Sequence, residues 1–209
     1  MSDLLPLSTA TLLSFALAAL LIELTPGPNM TYLALVSAND GRRAGFATVA
    51  GIALGLAIIG GIAAFGVAEL IQASALLYEG LRWAGSLFLL YLAWEGWVAG
   101  TDVVSATGRQ EGKYFTRGLV TNLLNPKAAL FYIAVVPEFT SGPAPSAREL
   151  AVLVSVYVAV ATFVHGLIVL LAGTLQEFLA APQRRKLTGN VFAVVLFLVA
   201  VWLFASSGR

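Results

Sequence analysis

Glu23-Leu24-Thr25-Pro26-Gly27-Pro28-Asn29 interrupts an otherwise apolar run from Thr9 to Ser37. The run is long enough to cross a bilayer, yet two prolines and a glycine sit in its middle. Each proline removes a backbone donor and clashes with the preceding turn, so a continuous helix through Pro26 and Pro28 is disfavoured. In lipid, freed backbone groups are costly unless protein or an enclosed cavity satisfies them. The commonest reason to accept that cost is a binding site.

A second interruption, Thr121-Asn122-Leu123-Leu124-Asn125-Pro126-Lys127, opens another apolar span over Gly118–Val136. Two broken spans in corresponding positions of two halves point to a transporter's site.

Composition sets the class. Of 209 residues, 59% are hydrophobic and 11% charged, where a soluble chain is nearer a quarter charged. The expectation is an all-α integral membrane protein. A net charge of +1 makes no case for a nucleic-acid partner. With no cysteine, disulfides, thiol relays, Cys-ligated metals and Cys nucleophiles are excluded. Met1–Ser8 carries Asp3 and no Lys or Arg, unlike the basic start of a signal peptide, so the first span is expected to be retained.

Six stretches are long enough to span, at roughly 9–37, 44–70, 75–98, 118–136, 150–175 and 187–206. They form one transmembrane domain over 1–209: a first repeat at about 9–98, a linker at 99–117 and a second repeat at about 118–206. The loops after spans one, three and five hold Arg42, Arg43, Arg109, Lys113, Arg117, Arg184, Arg185 and Lys186. The termini and other loops hold only Arg82, Arg148 and Arg209. That asymmetry puts the first group in the cytoplasm and both termini outside. Three spans per half then make the two repeats inverted, with helices 1 and 4 broken.

Trp83, Trp94, Trp97 and Trp202 fall where aromatic belts are expected. Ala47, Gly51 and Gly55, followed by Gly60, Gly61 and Gly66, give span two a small-residue face for close packing. Whether it packs within the chain or between copies is not set by sequence, which leaves a homo-oligomer open. Gly100, Gly108 and Gly112 read as a flexible linker, and Thr140–Ser146 as a turn-rich outer connection.

The two breaks gain meaning together. Pro28 and Pro126 can each open a second half-helix, and Asn125 is suited to cap the latter. In inverted repeats these half-helices point away from each other, so their positive N-terminal ends, about +0.5 charge each, converge. A small anion such as a carboxylate fits there. Lys127 is an intramembrane cation, costing about 2.5–3.5 kcal/mol on insertion scales; a role on an anion competes with snorkelling towards the interface. Glu23 ends the first half-helix, where both the dipole and burial disfavour its charge. It suits a proton carrier, an ammonium partner or a structural pair with Lys127. His165, mid-span in helix five, could relay a proton or serve as a polar contact. Glu95 lies towards the inner interface.

Catalytic signatures (HExxH, GxSxG, a Gly-Lys-Ser/Thr phosphate loop) are absent, and a single His cannot build a His-rich metal site. No enzyme, metal or cofactor is therefore expected. A metal-ion exporter would need several mid-depth carboxylates, where Glu23 stands alone. An intramembrane enzyme would need a base paired with a nucleophile.

The chain resembles the lysine-exporter superfamily, closest to its homoserine/threonine-type (RhtB-like) branch. The resemblance rests on Thr25-Pro-Gly-Pro-Asn29, Gly41-Arg-Arg-Ala-Gly45 and Asn122-Leu-Leu-Asn-Pro-Lys-Ala128, with weaker support from Val136-Pro-Glu-Phe139. It implies a bacterial inner-membrane, multi-pass secondary transporter that exports amino acids or derivatives, driven by the proton gradient. By resemblance the substrate residues are Pro26, Gly27, Pro28, Asn29, Asn122, Asn125, Pro126 and Lys127. Proton coupling through Glu23 and His165 rests on the physical argument alone.

Overall fold

A computed structural model describes residues 6–24, 27–64, 108–142 and 145–174, with scattered helical residues between 80 and 94 and between 190 and 201. Every regular element described is helical. Helix α1 (Thr9–Glu23) starts at Ser8, whose side chain accepts from Thr11 N at 3.1 Å. Its buried residues, Phe15, Ala19 and Glu23, recur every fourth position, while Leu13, Leu17 and Leu21 face outward. That is the pattern of a helix packed on one side and meeting lipid on the other.

Helix α2 (Pro28–Asp40) follows with Gly27 at its N-cap and Pro28 in its first turn, bent 65° from α1. It stops at Gly41, whose φ of 91° favours glycine. Helix α3 (Arg42–Ala64) and the 27-residue helix α6 (Ala147–Gly173) are each long and apolar enough to cross a bilayer. Between them come α4 (Gly108–Leu123) and α5 (Pro126–Ala134), then a 3-10 turn at Val136–Phe139. The second bent pair turns through 54° at its break. Counting each pair as one span gives four candidate spans among the described residues. The expected third and sixth spans fall mostly outside them, as do Trp97, Trp202 and the basic run Arg184–Lys186. Trp83 and Trp94 are exposed.

Sequence reading kept the linker going to residue 117, but the chain is helical from Gly108. Packing decides this. Helices α3 and α4 make the most extensive contact among the described elements, and that outweighs roughly 1 kcal/mol lost per mid-helix glycine. The glycine face of α3 packs within this chain. A Cβ at Gly51 would collide with the Phe115 carbonyl, and one at Gly118 with the Thr48 carbonyl. Small residues let the two backbones touch, the usual source of helix affinity in lipid. Gly51→Ala is therefore expected to cost about 1–3 kcal/mol and to lower the thermal midpoint of detergent-solubilised protein. Gly61→Ala, with nothing within 4 Å of the added methyl, is the matched control and should be neutral or stabilising.

Helix α6 runs beside both α1 and α2. An aromatic group holds it there. Phe131 and Tyr157 stack with centroids 3.9 Å apart, Phe15 leans on Phe131 at 5.7 Å, and Tyr132 meets Tyr157 edge-on at 5.2 Å. The Tyr132 hydroxyl donates to Leu56 O at 2.9 Å. This cluster fixes α1, α3, α5 and α6 around the two breaks.

Candidate functional site

The two breaks meet. Asn29, in the first turn of α2, donates from Nδ2 to Asn122 Oδ1 near the end of α4, at 2.7 Å. Both side chains are buried, and Asn29 Oδ1 and Asn122 Nδ2 have no hydrogen-bond partner among the described residues. Buried amide atoms left unpaired are costly. Gly55 makes the approach possible: a Cβ there would come within 2.7 Å of Asn122 Nδ2. The glycine face, read as a packing surface in preference to a ligand site, thus also makes room for Asn122.

Asn125 caps α5, its side chain accepting from Lys127 N at 3.1 Å. Pro126 opens that helix. The N-cap of α2, Gly27, has no side chain and faces Lys127, whose Cδ and Nζ lie 3.5 and 3.8 Å from where a glycine Cβ would stand. Lys127 therefore reaches from one half-helix start to the other. Two positive helix ends and an ammonium share one region.

Glu23 shares that region, close enough to Lys127 for the two charges to act on each other. The Tyr157 hydroxyl donates to its Oε1 at 2.7 Å, and His165 Nε2 lies 3.2 Å from Oε2 without an aligned hydrogen bond. The sequence reading offered Glu23 a pair with Lys127 or an unnamed polar helix contact; α6 supplies a phenol and an imidazole, two turns apart on its buried face.

Glu23, Gly27, Asn29, Asn125, Lys127 and His165 line one cavity, together with Tyr157, Met30, Leu56 and Ala128. The space in it open to a water-sized group is about 10 Å³, enough for one such group. An amino acid needs the helices to part. Of the residues expected from sequence, Pro26 and Glu95 lie outside the described set, while Pro28 and Asn122 are buried beside the cavity. Sequence reasoning missed Tyr157, Met30, Leu56 and Ala128. Tyr157 had a signal: it lies eight residues before His165 in the stripe Leu153, Tyr157, Ala161, His165. Among the described residues, no group of three or more His, Asp or Glu side chains could hold a metal.

The family model for LysE type translocators matches residues 20–207. The homoserine/homoserine lactone efflux protein of Salmonella typhimurium is 28% identical over 198 residues, covering 91% of this chain and 94% of its own. The leucine efflux protein of Salmonella choleraesuis is 26% identical over 197 residues, covering 88% and 90%. No solved structure matches the chain significantly.

Proposed function

The chain belongs to the LysE type translocators, and from that premise we propose that it is a secondary exporter of amino acids or close derivatives, coupled to the proton gradient. The chain is a transporter and not an enzyme. One observation carries the finer reading: the two breaks converge on one cavity lined by a cation, two helix starts and a carboxylate. That arrangement complements a zwitterion. The substrate carboxylate sits between α2 and α5, near Lys127, Asn29 and Asn125; Met30, Leu56 and Ala128 flank its side chain. Relatives named for homoserine and leucine efflux support a small, neutral amino acid.

The remaining architecture follows from charge and parity. Six spans in two inverted repeats lie in the bacterial inner membrane with both termini outside. The cavity opens alternately to each face, and protons return through Glu23 and His165.

Everted vesicles test this reading. Energised with ATP and offered a panel of radiolabelled amino acids, vesicles carrying the protein should accumulate at least one above vesicles lacking it. A protonophore should abolish the difference. Accumulation of none of the panel would overturn the amino-acid reading.

A further inference from the structure

Among the residues lining the cavity, Glu23 is the one carboxylate. The titratable or charged groups set towards it come from two helices: Tyr157 and His165 on α6, and Lys127 and Tyr132 on α5. Its two oxygens differ. Oε1 is committed to the Tyr157 hydroxyl, whereas Oε2 faces His165 with no aligned bond. Oε2 is thus the atom at which a proton or an incoming cation can be received. With Lys127 and two helix starts already positive, an ammonium entering beside a neutral Glu23 would be a buried, unpaired charge, which is strongly unfavourable.

Resting on the amino-acid reading above, we propose that Glu23 holds either a proton or the substrate's ammonium group, never both. The substrate must then carry a free amine, and each molecule exported is exchanged for one proton. Binding on the inner side breaks the Glu23 O–H bond and passes that proton to cytoplasmic water. The ammonium keeps its own protons throughout. Release outside leaves Oε2 bare, and it takes a proton from outer water before the site returns. Tyr157 is the positioning residue that presents Oε2. Because the zwitterion is neutral, each cycle also moves one positive charge inward.

Purified full-length protein in detergent tests this. The probe is the amino acid that vesicles accumulate, with leucine and homoserine tried first, each paired with its 2-hydroxy acid. Amino-acid affinity should fall tenfold per pH unit below the titration of Glu23, with about one proton released per molecule bound. The 2-hydroxy acid should show neither effect. Glu23→Gln should flatten the slope. Equal slopes for amino acid and hydroxy acid, no slope at any pH at which the protein stays folded, or a slope surviving in Glu23→Gln would each overturn the proposal. If Glu23→Gln fails to bind, the two ligands on wild-type protein still decide. Binding of neither ligand would instead sink the amino-acid reading.

Discussion

Vesicles carrying Glu23→Gln should exchange labelled amino acid across the membrane yet accumulate none above equilibrium under an imposed pH gradient. Glutamine keeps the side-chain length and an oxygen to accept from the Tyr157 hydroxyl, which donates to Glu23 at 2.7 Å. It cannot titrate. For one-for-one exchange, each unit of pH gradient is about 1.4 kcal/mol and supports roughly tenfold accumulation. The wild-type ratio should therefore rise with the gradient while the variant stays at one. Losing the buried carboxylate also removes the ammonium's partner, worth about 2–5 kcal/mol when one side of a desolvated pair is deleted. Exchange by the variant must be measured at raised substrate concentration. Wild-type accumulation by the variant would make Glu23 structural and send the proton through His165 or another group.

The breaks were legible because proline and glycine act locally. Pro28 and Pro126 each open a half-helix, and Asn125 caps the second, as its residue type predicts. Helical class and the glycine face were legible for the same reason: composition and spacing are local properties. What could not be read was which faces meet. The Asn29–Asn122 bond joins residues 93 apart, and the Tyr157–Glu23 bond joins residues 134 apart. The four-residue spacing of Leu153, Tyr157, Ala161 and His165 stands in the sequence, but nothing there says that this stripe lies against Glu23. The start of α4 was missed because glycines at 108 and 112 signal a loop, while the contact with α3 that overrides them is tertiary. Gly55 illustrates the limit best. Its spacing marks helix packing, and only the structure sets Asn122 against it.

The account's central claim is that the two half-helix starts and Lys127 hold a substrate carboxylate. Lys127→Met tests it most directly. Methionine approximates the length and the apolar stem but removes the charge. The lysine side chain lies against Gly27 at the start of α2 while its own residue sits in the first turn of α5. Removing it leaves a desolvated carboxylate with only helix ends and amide donors. The loss should be about 2–5 kcal/mol, or roughly 30-fold to several-thousand-fold in affinity. A decarboxylated analogue offers no such group. The measurement is the affinity of leucine, or whichever amino acid the vesicles accumulate, against that of its decarboxylated amine, in wild-type protein and in Lys127→Met. Amine binding also reports that the variant is folded. The account predicts that amino-acid affinity falls by at least 30-fold while amine affinity holds or improves; equal loss for both ligands would contradict it and leave Lys127 a structural residue.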